Sequence, residues 1–191
     1  MTLTQKHYRR IIYFLFLLLF LLISVLASVY SPEKTMIAQN CFTQSEKIVK
    51  GSSMEPLFYE GDTITSLLGY YDCNPVARDD IVLADYGGAS FGIILKTVKA
   101  LPGDTFSLHE TNEGSNILVN GKILATSNGV KYTLPSHLAN ILKSYELDSG
   151  GVVPAGNYLI FGEKPTGSFD STRSGFFTHK QIIAKVLSDE K

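Results

Sequence analysis

A mostly β fold, a β-sheet or barrel domain behind one N-terminal transmembrane helix, is the architecture that this 191-residue sequence predicts. Turn signals punctuate the chain at the spacing of short strands: Glu60-Gly61-Asp62, Arg78-Asp79-Asp80, Tyr86-Gly87-Gly88, Pro102-Gly103-Asp104 and Asn120-Gly121. Asn120-Gly121 sits between the apolar arms Ile117–Val119 and Lys122–Leu124, the strongest short-range hairpin pattern, because both residues tolerate positive φ. A single uncharged apolar run, Ile11 to Tyr30, precedes all of this.

That run sets the domain organisation. Twenty residues at roughly 1.5 Å each span about 30 Å, the thickness of a bilayer core. A cleaved secretory signal is the competing reading, since Lys6, Arg9 and Arg10 resemble its basic start and Ala27-Ser28 offers small residues near its end. The run is longer than a signal core of roughly 7 to 15 residues, which favours an uncleaved anchor. The basic residues before it keep residues 1–10 in the cytoplasm, residues 11–30 cross, and residues 31–191 lie outside. Beyond the run stand 14 basic against 18 acidic residues, a balance that argues against a nucleic-acid-binding body.

A polar connector occupies about residues 31–44. Ile93 to Leu101 reads as a strand, Leu134 to Tyr145 as one short helix from its Leu and Ile spacing, and Gln181 to Leu187 as a closing strand. Residues of about 105–157 form an inserted β region. Cys41 and Cys73 both fall on the oxidising side, where a disulfide is permitted, but spacing alone leaves bonded and free cysteines equally open. The four histidines, His7, His109, His137 and His179, have no metal-ligand spacing, so neither a metal nor a cofactor is expected.

Chemistry is suggested first by Gly51-Ser52-Ser53, a turn whose small residues let a substrate backbone approach, stiffened by Pro56. Most serines in such turns only hydrogen-bond local backbone. A nucleophilic serine needs a base, and without a histidine in a recognisable arrangement the base is sought among lysines in apolar surroundings. Within the strand, Lys96 shares a face with Ile94, Val98 and Ala100, and Lys99 with Ile93, Leu95 and Thr97. Both faces are largely apolar, so periodicity leaves the choice of lysine open. An ordinary lysine costs about 4.6 kcal/mol to deprotonate at pH 7, and full burial lowers its pKa by about 3 to 5 units, enough to supply a neutral amine. An edge lysine snorkelling to water is the alternative.

Taken in order, these pieces resemble the type I signal peptidases, membrane-bound S26-like serine proteases with a Ser-Lys dyad. Their nucleophile motif is similar to Ser53-Met54-Glu55-Pro56, followed here by Gly61-Asp62. Their Lys-Arg-Val strand with its Pro-Gly-Asp turn resembles Lys96-Thr97-Val98 with Pro102-Gly103-Asp104. Their last box resembles Gly162-Glu163-Lys164-Pro165 followed by Ser168-Phe169-Asp170-Ser171-Thr172-Arg173. The resemblance implies that Ser53 is the nucleophile, Lys96 rather than Lys99 the base, and Ser168 a partner orienting the lysine amine. Asp170 and Arg173 become structural supports. Met54, Pro56 and Leu57 become candidates for the substrate pocket.

The implied function is removal of signal peptides from exported pre-proteins, cut after small residues at −3 and −1. The domain would lie against the outer leaflet of the cell membrane, or of the mitochondrial inner membrane, so its implied partners are pre-proteins and the lipid bilayer. Some positions depart from the pattern. Many bacterial members carry a serine that donates to the oxyanion where this chain has Gly51, a glycine resembling that of mitochondrial inner membrane peptidases; the Ser53 N–H remains one donor and Ser52 is a second candidate. Losing one such donor costs about 10²- to 10³-fold in rate. Thr97 replaces an arginine, and Thr172 lengthens the step from Asp170 to Arg173. Two other readings stay open: a dedicated maturation peptidase of a conjugation or secretion system, and a membrane-anchored scaffold of the same fold. A self-cleaving LexA-like repressor also uses Ser-Lys, but an apolar span without a DNA-binding segment argues against one.

Overall fold

The computed structural model describes residues 13–24, 41–87 and 92–187. Residues 1–10, the ends of the apolar run at 11–12 and 25–30, and most of the expected connector lie outside the described residues. The chain divides into two units, Met1–Asn40 and Cys41–Lys191. In the first, residues 13–24 form helix α1, and its large side chains from Tyr13 to Ile23 are all exposed. Among the described residues no helix is long and apolar enough to cross a membrane.

The second unit is mostly β. Its larger sheet is antiparallel and has seven strands in the order β1 (Thr43–Ile48), β2 (Thr63–Leu68), β11 (Ile182–Leu187), β3 (Ile81–Asp85), β4 (Ile93–Ala100), β9 (Asn157–Phe161) and β10 (Phe177–Thr178). The expected closing strand is therefore β11, inserted between β2 and β3. Its β-branched run Ile182-Ile183 and Val186 suits a position covered on both sides.

A smaller sheet joins β5 (Phe106–Thr111), β6 (Gly114–Val119) and β7 (Lys122–Ile123), with β8 (Thr133–Leu134) on the other side of β6. Asn120 and Gly121 adopt φ of 50° and 74°, the turn that their sequence anticipates between β6 and β7. Helix α2 runs Ser136–Asp148, starting and ending slightly later than its apolar spacing suggests. Pro135 opens it in extended conformation, which fits a residue that cannot donate to a preceding turn. The short helix α3 covers Ser171–Ser174.

The core comes in three clusters. Phe106, Ile117, Tyr132, Leu138, Leu142 and Phe161 pack between the small sheet and α2. Val82, Val98, Ile160, Phe177 and Tyr71 form a second cluster, and Val49, Ile64, Leu83 and Val186 a third. Strand β9 serves the first two by simple alternation, Phe161 to one and Ile160 to the other. Strand β4 does not alternate simply, because its register against β9 shifts between Val98 and Ala100. The expected common face of Lys96, Val98 and Ala100 is thus broken: Val98 joins the second cluster and Ala100 the first.

Cys41 and Cys73 form a disulfide with Cα atoms 6.1 Å apart, which ties the start of this unit to the turn after β2. The Pro102-Gly103-Asp104 turn is also a tie. The Asp104 carboxylate accepts from Leu101 N, Asn120 Nδ2 and Arg78 Nη2. Partial burial opposes ionisation, yet these donors hold its carboxyl below the usual range.

Candidate functional site

Ser53 sits in the turn between β1 and β2. Gly51 takes φ 77° there, a left-handed conformation that favours glycine. Hydrogen bonds from Glu55 N to Ser52 O and from Phe58 N to Met54 O coil the following residues. The two ends of the loop are closed by Val49 N to Asp62 O and Gly61 N to Val49 O, while the Asp62 carboxylate accepts from Tyr59 N. Gly61-Asp62 thus fixes the base of the loop that presents Ser53.

Strand β4 delivers Lys96 to the same point. The chain separates the two residues by 43 positions, yet Lys96 Nζ lies 2.8 Å from Ser53 Oγ. The amine also donates to Leu95 O at 2.6 Å. Lys96 is only 3% exposed, and burial lowers its pKa from 10.5 to about 8, against the raising influence of the Asp170 charge. Lys99, the alternative that periodicity left open, instead pairs with Asp79 at 2.7 Å on the surface.

Behind the pair, Gly162 follows the last residue of β9 with almost no room to spare. A Cβ there would stand 2.5 Å from Ser168 Oγ and 2.7 Å from Ser53 O. Glu163 N donates to Ser53 O at 2.7 Å, and the buried Tyr132 hydroxyl donates to Gly162 O. Asp170 caps α3 through Thr172 N and Thr172 Oγ1 and reaches back to accept from Gly162 N at 2.9 Å. Burial pushes the Asp170 carboxyl up from its ordinary value, and those hydrogen bonds oppose the shift.

The remaining expected residues separate. Ser168 is buried beside the pair and lies near the Asp170 carboxylate, but its hydroxyl makes no hydrogen bond of ordinary geometry, to Lys96 or to any other described group. Arg173 makes no ion pair with Asp170. Its Nε donates to Ser168 O at 3.1 Å and its guanidinium stacks 4.9 Å from the Phe169 ring centroid. The extra residue Thr172 takes the place of the arginine as the Asp170 partner. The Ser53 N–H and the Ser52 hydroxyl have no partner among the described residues.

A pocket of about 240 Å³ opens over Ser53 and Lys96. Met54 lines it, whereas Pro56 and Leu57 do not. Sequence reasoning missed the rest of the wall, which comes from Lys47 to Lys50 of β1 and its exit, Ile64, Leu83 and Ile93 to Leu95. Only strand pairing brings these together, and no local pattern marks it. Gly162, too, is not singled out by sequence as a site residue; its place opposite the Ser53-Met54-Glu55-Pro56 turn depends on the β4–β9 register. Among the described residues no group of acidic, histidine or cysteine side chains could hold a metal.

The model of the family described as signal peptidase, peptidase S26, matches residues 6–188. The chain belongs to that family. This membership makes it a serine endopeptidase of the signal peptidase type. It is 29% identical over 144 residues to signal peptidase I V of Bacillus subtilis (strain 168), covering 74% of this chain and 82% of the relative. Signal peptidase I of Bacillus caldolyticus is 28% identical over 148 residues, covering 76% of this chain and 78% of its own. A crystal structure of a signal peptidase I from Enterococcus faecalis V583 matches at 23% identity and TM-score 0.39, over 57% of this chain and 94% of that one.

Proposed function

We propose that this family member is a membrane-anchored endopeptidase that removes signal peptides from exported pre-proteins, with Ser53 as nucleophile and Lys96 as general base. The observation that carries the reading is the 2.8 Å contact between Ser53 Oγ and a lysine amine that is almost wholly buried. A pKa of about 8 leaves about a tenth of the amine neutral at pH 7. That fraction is ready to accept the hydroxyl proton.

In the acylation step the neutral Lys96 amine takes the Ser53 proton as Oγ bonds to the scissile carbonyl carbon. The tetrahedral oxyanion is held by the unpartnered Ser53 N–H, with the Ser52 hydroxyl as second donor. The carbon–nitrogen bond then breaks, the lysine passes its proton to the leaving amine, and an ester remains on Ser53. Water, deprotonated by the same amine, attacks the ester and regenerates the hydroxyl. Asp170 and Gly162 act by position: the carboxylate fixes the Gly162 backbone, and the missing side chain leaves room for the Ser53 carbonyl and Ser168 to pack against it.

The apolar run from Ile11 to Tyr30, with its exposed side chains on α1 and basic residues before it, supports a single-pass anchor with the N-terminus cytoplasmic and the catalytic unit outside. The disulfide between Cys41 and Cys73 suits that oxidising side. The partners are then pre-protein signal peptides and the bilayer.

The test is cleavage of a pre-protein ending in Ala-x-Ala by the detergent-solubilised full chain, beside Ser53→Ala and Lys96→Ala variants. Cleavage by the wild type alone is expected. Cleavage that survives either substitution would overturn the dyad.

A further inference from the structure

The wall of the pocket over Ser53 carries a charge pattern that the proposed chemistry does not use. Its thirteen lining residues include three lysines, Lys47, Lys50 and Lys96, and neither an aspartate nor a glutamate. Lys96 is buried at the floor, whereas Lys47 and Lys50 are exposed at the rim, and neither has an ion-pair or hydrogen-bond partner among the described residues. Other exposed lysines of the described unit, Lys122, Lys131 and Lys180, also have no ion pair, but none of them lines this pocket. Lys47 and Lys50 differ from them by position, as unpaired cations at the mouth of the pocket that holds Ser53.

Their spacing fits an extended peptide. Three positions separate Lys47 from Lys50, about 10 Å of extended chain, and three more separate Lys50 from Ser53. A substrate strand lying along this wall passes both ammonium groups within its last few residues before or after the scissile bond. We propose that Lys47 and Lys50 make the groove selective for substrates carrying carboxylate side chains beside that bond. This rests on the endopeptidase reading above and adds to it a preferred charge. A membrane surface is the other anionic partner that exposed lysines could meet, but these two open into the pocket that holds the nucleophile, which favours the peptide.

Rim charges in water act mainly on encounter and are screened by salt, so each lysine is expected to contribute about two- to fivefold in kcat/KM at low ionic strength. The experiment uses the full chain in neutral detergent. Three peptides share an Ala-x-Ala site and differ only in Glu, Gln or Lys at x and at the second residue after the bond. Wild type should cleave the Glu peptide about tenfold or more faster than the Lys peptide at about 50 mM salt, with the ratio shrinking near 500 mM as the Debye length falls to a few ångströms. Lys50→Glu should reverse the preference, Lys47→Gln should halve it or more, and Lys122→Gln, on a distant hairpin, should leave it as in wild type. Reversal is a readout that mere misfolding cannot produce.

Equal cleavage of the three peptides by wild type, or a preference untouched in Lys50→Glu, would overturn the proposal and leave the endopeptidase reading intact. Failure of wild type to cut any peptide or pre-protein overturns both. A charge preference seen only with anionic vesicles, and absent in neutral detergent, would assign the lysines to the membrane instead.

Discussion

Glu163 N donates to Ser53 O at 2.7 Å, so the backbone of Ser53 is bonded directly to the segment that leaves β9, the strand paired with β4 next to Lys96. This cross-link fixes Ser53 relative to β4 and β9 rather than leaving it on a free loop. The positions immediately around it, Gly162 and Asp170, are therefore where small changes should cost most.

Gly162→Ala places a methyl 2.5 Å from Ser168 Oγ and 2.7 Å from Ser53 O. The first contact is with a side chain and can relax. The second is with backbone and cannot do so without shifting Ser53. We expect a stability loss of about 1 to 3 kcal/mol, typical of overpacking, together with a loss of at least about 10²-fold in kcat from misplacing the reacting oxygen. Thermal unfolding and steady-state cleavage, measured on the same preparation, check both.

Asp170→Asn removes one acceptor from a carboxylate that serves Gly162 N on one oxygen and Thr172 N and Oγ1 on the other. An amide can satisfy only one side, and the donor left facing it costs about 1 to 3 kcal/mol. The substitution also removes a negative charge that raises the Lys96 pKa. The ascending limb of the pH–rate profile should therefore move to lower pH, a displacement that simple destabilisation does not produce.

Lys96 should be a burden on the fold. Its folded pKa of about 8 lies below the value of 10.5 for a free side chain, so between those values the unfolded chain binds more protons and stability rises with pH. Below pH 8 both forms are charged and the full penalty, about 3 kcal/mol at 1.36 kcal/mol per pH unit, is present. Lys96→Met should accordingly raise the unfolding free energy at pH 7 by up to that amount, and the advantage should fade as pH climbs toward 10.5. Denaturant unfolding of both proteins across this range measures it.

Much of the fold was legible because it is locally encoded. The Asn120-Gly121 hairpin, β4, the closing strand and α2 each rest on residues within one short segment. The site was less so. Alternation on β4 could not separate Lys96 from Lys99, since both faces are apolar, and the register shift after Val98 further breaks the period on which such reasoning depends. The family resemblance pointed to Lys96, and the pairing of β3, β4 and β9 is what carries it to Ser53. Ser168 packs against Gly162 and Arg173 donates to Ser168 O, contacts that depend on how α3 folds back, which no spacing specifies. The disulfide, undecided from sequence, follows from β1 and β2 being neighbours.

The central claim, that a neutral Lys96 activates Ser53, is tested most directly by the pH dependence of single-turnover acylation, measured between about pH 6 and 10 on the full chain in detergent. The amine with its pKa of about 8 predicts a rate that rises through a midpoint near that pH and then levels, with no acylation in Lys96→Ala. A rate independent of pH over this range, a midpoint near that of an ordinary histidine or lysine, or acylation that persists without the lysine would contradict it.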